Sequence, residues 1–370
     1  MNKFLSVFTL LLISGVAQTL PPTPAGPQEM PVAIIGATIH VGNGEVIEAG
    51  SVTFADGVIT GVYGSDETPE LGDHLVIERK GEHLYPGFIL PNTRVGLREV
   101  SAVRATVDDR ERGNINASVR TLTSYNTDSE LLPTYRFNGV LTAQVAPIGT
   151  LIAGNSSVMQ MDAWNWQDAV IKADDAMHIY WPNPVKGKTD AIRQTISYEL
   201  NDKYEEQIEI IRSLFSEAQG PRVSNLNVLA VKKILSGKKQ LFIHAEQATQ
   251  LADAVQFIRA YDIERAVLVG AREALEVKQL ILDANIPVLV QFVHGLPALA
   301  DRSVDESYAR AAKFVDAGFK IGLAAKVRME PSSGRNLPFM AGTVAAYGIG
   351  KEQAVQLITL GNAELLGIDD

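Results

Sequence analysis

The chain has 370 residues, enough for one large domain and a smaller one. Hydrophobic residues make up 46% and charged residues 21%, which supports a sizeable core, and a formal charge of -10 with no basic stripe argues against a nucleic-acid partner. With no cysteine, disulfides, thiol catalysis and cysteine metal ligands are ruled out.

Lys3 followed by the apolar run Phe4 to Ala17 reads as an export leader over residues 1–17, cleaved before Gln18. The run is too short to cross a bilayer, which takes roughly 20 apolar residues. The expectation is an exported protein, periplasmic in a Gram-negative cell, without a membrane span. Residues 18–31 are proline-rich and predict an extended linker. Residues 32–85 alternate short β-prone runs with the turn signals Gly42-Asn43-Gly44 and Asp56-Gly57, which predicts a small β-rich domain.

After Pro86 the rhythm changes to strand and helix. Strands are predicted at Val140–Val145, Leu241–Ala245, Ala266–Gly270 and Val288–Val293, with a further one in "MHIYWP" and another in "FKIGLAA". A helix over Leu200–Ala218 places Tyr204, Ile208, Ile211 and Phe215 on one stripe; another aligns Leu251, Val255 and Ile258, and a third covers Asp305–Asp316. Strands separated by helices predict a parallel sheet, and their apolar character predicts burial on both faces. An open doubly wound sheet and a closed (β/α)8 barrel both fit, and no glycine-rich phosphate loop favours a nucleotide-binding version. Most of residues 100–240 gives no clear period.

Several polar side chains fall where such strands end. "PGFILPNTRVGL" runs out at Asn92-Thr93-Arg94, and His178, His244 and His294 lie at or just after later strands. Each also has a plain structural role open to it. Asn92 and Thr93 can satisfy strand-end backbone groups, Arg94 can pair with Glu99 or Asp108 at the surface, and each histidine can be structural. His40, His74 and His83 are expected at the surface of the β-rich start. Asp162 and Glu246 are the candidates for a paired-carboxylate site. No Gly-x-Ser-x-Gly elbow is present.

The small β-rich start, the "PGFI" strand, "FIHAEQATQLADAVQFI" and the closing "NLPFMAGTVAAYGIGKEQAVQLITLGNAELLGI" together resemble the amidohydrolase superfamily, especially its imidazolonepropionase-like exported members. The resemblance covers nearly all of residues 32–370. It implies a (β/α)8 TIM-type barrel over residues 86–370, zinc or another divalent metal, and hydrolysis of non-peptide C–N bonds by metal-bound hydroxide. The same resemblance places metal ligands at Asn92, Arg94, His244, Val269 and Lys326, and of these five only His244 can serve. A degenerate metal site is therefore expected, with Arg94 and Lys326 supplying fixed positive charge for a small anionic ligand. Asn92 and His178 would line that pocket, and His244 and His294 would move protons. Family members continue past the "LLGI" segment to return strands to the β-domain. An incomplete β-domain completed by a second copy or a partner chain is thus a third expectation, beside a working hydrolase and a metal-free binding protein.

Overall fold

The computed structural model describes residues 23–67, 69–190, 195–223, 225–297, 302–325 and 333–369. The leader expected over residues 1–17 and the side chain of Lys326 lie outside the described residues.

The β-rich start forms a five-stranded sheet: β1 (Val32–His40), β2 (Val46–Ala55), β3 (Val58–Tyr63), β4 (Leu75–Glu78) and β5 (His83–Leu84). The order is β3-β2-β1-β4, and β5 pairs with the far end of β1. The tight β2–β3 turn needs two consecutive left-handed residues, and Asp56 (φ 51°) and Gly57 (φ 75°) provide them. His40 departs from the surface position expected for it. It is buried, its Nδ1 bonded to Glu352 at 2.9 Å and its Nε2 to His83 at 2.9 Å, and its ring stacks on Tyr85 at 4.1 Å. That cluster ties the end of β1 to the helix Lys351–Gln356.

Beyond Pro86, β6 (Phe88–Thr93), β7 (Val140–Val145), β8 (Ile152–Asn155), β9 (Ser157–Gln160), β10 (Val170–Lys172) and β11 (Ala176–Tyr180) follow in order. A hairpin, β12 (Val185–Asp190) with β13 (Thr195–Leu200), comes next, then β14 (Gln240–Ala245), β15 (Ala266–Gly270), β16 (Val288–Val290) and β17 (Ile321–Leu323). One sheet has the order β10-β9-β7-β6 and a larger one the order β17-β16-β15-β14-β11-β8. From β11 to β17 the large-sheet neighbours are parallel, as the strand and helix rhythm predicts. The helices Tyr204–Gln219, Leu226–Leu235, Ala248–Ala260, Lys278–Asp283 and Glu306–Asp316 supply the crossovers.

A departure from strict strand-helix alternation lies in the stretch without a sequence period. β8 and β9 are two halves of one strand bent at Ser156, whose N–H bonds Ala176 O at 2.9 Å. The first half runs antiparallel to β11 and the second antiparallel to β7, so this strand joins the two sheets. An antiparallel neighbour needs only a short loop, and residues 146–151 provide it in place of a helix.

Alternate residues of the parallel strands sort into two apolar layers. Leu241, Ile243, Leu268, Val288, Val290 and Leu323 pack among the helices. Ala176, Phe242, Val267, Val269, Leu289 and Ala324 pack together on the other face. Because side chains alternate along a strand, His178 and Tyr180 share the inner face with Ala176, His244 shares it with Phe242, and Gln291 continues it from Leu289.

The outer edges of the two sheets, β6 and β17, are bridged by the chain's closing segment. Ile89 N–H bonds Ile358 O at 2.9 Å and Leu323 N–H bonds Leu357 O at 3.3 Å. Asn362 Nδ2 donates to Ile89 O at 2.8 Å and Leu323 O at 2.9 Å. Asn362 is fully buried, and a Cβ at Gly322 would overlap its Oδ1, so only glycine leaves room for this amide.

Candidate site at the strand ends

The carboxyl ends of β11, β14, β15 and β16 open into a cavity of about 560 Å3. Tyr180, His244, Glu246, Val269, Arg272 and Gln291 form its base and walls, and Val185, Gly187 and Tyr198 of the β12–β13 hairpin cover one side. A cavity of about 590 Å3 at the opposite ends of the same strands is lined by Gln240, Ala266, Pro287 and Lys320. It contains none of the histidines, and open α/β sheets and barrels carry their chemistry at the carboxyl ends. The strand-end cavity is therefore the candidate site.

The strand ends here have unusual backbones. Asn92 near the end of β6 (φ 52°), Ala271 after β15 (φ 49°) and Phe292 after β16 (φ 59°) all take the left-handed region. Asparagine tolerates this region, whereas an aromatic residue adopts it only under constraint from its surroundings. Such strain concentrates at binding and catalytic sites.

His178 and His244 meet inside the fold, with His178 Nδ1 and His244 Nε2 3.0 Å apart. Burial lowers both: His244 falls to about 3, and His178 drops well below the usual histidine range. The pair is neutral, with one ring donating to the other. Tyr180 stacks on His244 at 4.0 Å, and burial raises its phenol above the usual value.

Asn92 is buried, and its N–H donates to Gln144 Oε1 at 3.1 Å. Gln144 Nε2 in turn donates to Asp175 Oδ2 at 2.7 Å, and Ser156 Oγ reaches Asp175 Oδ1 at 2.7 Å. Asp175 is fully enclosed, and burial raises its carboxyl despite those two hydrogen bonds and the charges of Lys172 and Lys239. Arg94 takes a different partner from those weighed in the sequence. It lies 3.6 Å from the buried Asp109, which Arg98 at 2.5 Å and Arg110 at 3.2 Å also approach. This pairing turns Arg94 inward, so it is not among the residues lining the cavity. His294 stands apart as well, exposed and bonded through Nε2 to Thr343 Oγ1 at 2.7 Å.

The structure thus sets the fully buried His178 against His244, which lines the cavity, and leaves His178, Asn92, Arg94 and His294 off that lining. Asp162, weighed as a partner for Glu246, is bound to Arg136 elsewhere. Arg272 and Gln291 were not recognised in the sequence as site residues. A usable signal was the two-residue alternation Phe242, His244, Glu246, which carries the inner face straight off the end of β14.

Glu246 is the carboxylate on the cavity wall. It accepts Arg272 N–H at 3.2 Å, and a Cβ at Gly270 would lie 2.5 Å from its Oε1. Burial raises its carboxyl, opposed by Arg272 and Arg310 and reinforced by Glu273.

As a zinc set these groups fit poorly. Among the described residues no three of His, Cys, Asp or Glu converge as metal ligands. His244 has committed Nε2 to His178, Val269 has no donor atom, and Arg94 is held as a cation by Asp109.

No family model matches this sequence, and no curated protein does either. Solved structures do match. An amidohydrolase from Thermotoga maritima superposes with a TM-score of 0.75 at 17% identity, over 92% of this chain and 89% of the other. A Xaa-Pro dipeptidase with bound methionine gives 0.54 at 12% identity over 92% and 89%, and a metal-dependent hydrolase from Pyrococcus furiosus gives 0.52 at 11% over 92% and 95%. The chain shares the fold of these hydrolases.

Proposed function

We propose that this chain is a metal-independent relative of the amidohydrolases that binds a small polar molecule in the strand-end cavity. On this reading residues 86–370 form a (β/α)8-type barrel whose third stave is the bent strand β8–β9 and whose seam is closed by Asn362. Residues 32–85 form the small domain, and residues 1–17 direct export. Hydrolysis of a C–N bond through a metal-bound hydroxide is the activity that the fold suggests, and the donor set argues against it.

The observation that carries this reading is the fate of His244. It occupies the ligand position of a strand end, yet its Nε2 is hydrogen-bonded to His178 and both rings are held neutral by burial. A neutral pair of this kind shapes a pocket floor, since fold alone does not fix chemistry. Polar groups around a partly open cavity of this size suit a small molecule held by a few directed hydrogen bonds.

The test is a thermal-shift screen of small polar metabolites against chelator-treated protein. The account expects compounds that raise the melting temperature equally with and without chelator, and whose effect is lost in Gln291→Leu. Hits that require added zinc would contradict it. Export is checked by sequencing the amino terminus of the secreted chain, expected to begin at Gln18.

A further inference from the structure

From the charges and unpartnered atoms on the cavity wall we infer that the ligand is amino-acid-like: a primary ammonium that sits on Glu246, with an acceptor oxygen beside it that takes hydrogen bonds from Gln291 and Arg272. This rests on the metal-independent binding reading and names its substrate class.

Glu246 anchors the argument for the ammonium. Its carboxylate accepts one backbone N–H, from Arg272, and among the described residues it forms no side-chain ion pair. The guanidinium of Arg272 is turned to Glu273 at 3.4 Å. Arg310 influences Glu246 through space, but its hydrogen bond goes to Ser307 Oγ at 3.4 Å. Glu246, Glu273 and Glu306 against Arg272 and Arg310 leave this group one negative charge in excess. A buried carboxylate without a contact cation is costly, and a ligand cation relieves that cost. Tyr180, Trp181 and Tyr198 line the same cavity, and aromatic faces favour a cation beside them.

Gln291 supplies the second, independent observation. It is 5% exposed and lines the cavity, and its Nε2 has no hydrogen-bond partner among the described residues. A buried amide N–H is a donor in need of an acceptor, and leaving it unpaired is costly. It does not suit an ammonium, which has only donors, so Glu246 and Gln291 must contact different ends of the ligand. Arg272 lies on the same wall, where its remaining N–H groups can share the acceptor oxygen. One acid, one amide donor and one guanidinium around one cavity describe recognition of a cationic amine and a carboxylate or carbonyl on the same small molecule.

Calorimetric titration of the chelator-treated full chain tests this with L-phenylalanine, L-phenylalaninamide and N-acetyl-L-phenylalanine. Phenylalanine and its amide are expected to bind, and the acetylated compound, which lacks the ammonium, to bind about tenfold more weakly or worse. The near-isosteric Glu246→Gln should cut phenylalanine affinity by about tenfold or more while melting at an unchanged or higher temperature. Comparing the amide with the acid shows whether the acceptor is a carbonyl or a carboxylate; binding of either supports the inference. Equal affinity for the acetylated compound, or unaltered binding by Glu246→Gln, overturns it. If none of the three binds but the metabolite screen finds other chelator-insensitive ligands, the amino-acid class fails and the binding reading stands. If nothing binds without metal, both fail.

Discussion

The buried carboxyl of Asp175 is the most direct test of how the interior is wired to the strand ends. Ser156 and Gln144 both donate to the carboxylate, yet burial raises its pKa, and the same neighbours can serve the protonated form once Ser156 turns its hydroxyl. A proton on Oδ1 can be donated to Ser156 Oγ at 2.7 Å, and Ser156 can pass its own hydrogen to Ala176 O at 3.3 Å. Oδ2 still accepts Gln144 Nε2 at 2.7 Å, and Gln144 cannot turn over because its Oε1 holds the N–H of Asn92. Asp175→Asn reproduces this pattern, with an NH2 in place of the O–H, and removes the charge. Since burial raises the folded-state pKa above the unfolded one, the native protein binds the extra proton more tightly. Stability from this group is therefore greatest below the ordinary carboxylate range and falls as pH rises towards the folded value. Asp175→Asn should match the parent chain at pH 4 and equal or exceed its melting temperature at pH 8. Asp175→Leu leaves Gln144 Nε2 without an acceptor, costing about 2 kcal/mol. In a chain of this size that is about 3 °C. Melting curves of both variants from pH 4 to pH 8 decide the matter. A Asp175→Asn variant that melts as low as Asp175→Leu, or keeps the parent's full pH dependence, would refute the reasoning.

Three further outcomes follow from the same geometry. Asn362→Ala removes the donor for two buried carbonyls, Ile89 O and Leu323 O, and should cost about 3 kcal/mol, read as a fall in the denaturation midpoint; a change under about 0.5 kcal/mol would show that the seam does not depend on it. Arg94→Met should cost about 1–3 kcal/mol, less than breaking an isolated buried pair, because Arg98 and Arg110 remain beside Asp109; an unchanged midpoint would mean that the Arg94 pairing adds nothing. Histidine NMR should show His244 uncharged at pH 5, since its folded value lies at about 3, and titration near the ordinary histidine range would contradict the buried neutral pair.

Much of the architecture was legible because periodicity is strong where burial is two-sided. The runs around Leu241, Ala266 and Val288 became parallel strands, and the stripe Tyr204, Ile208, Ile211 and Phe215 became one buried helix face. The stretch containing β8 and β9 stayed opaque because one strand changes partners at Ser156. Its two halves of four residues are each too short to show a period of their own. Asn362 gave no signal, since an asparagine in a closing helix reads as a surface residue until Gly322 is found opposite it. At the site, the sequence put His178 and His244 at strand ends, and it is the pairing of β11 with β14 that sets them on one face. The sequence could not place Arg94, whose direction is decided by Asp109, fifteen residues later in an irregular segment. His40 was misread for a related reason, because its partner Glu352 lies at the far end of the sequence. Residues whose roles depend on contacts made by loops are the ones a local pattern misses.

Zinc titration into chelator-treated protein, followed by elemental analysis after gel filtration, tests the central claim most directly. The account predicts well under one equivalent of retained metal and no rise in melting temperature, because His244 Nε2 belongs to His178 and no third donor joins it among the described residues. One tightly held equivalent, at a hundredfold excess over its dissociation constant, would add about 2.7 kcal/mol of stability. A stabilisation of that size, abolished by His244→Ala, would contradict the account.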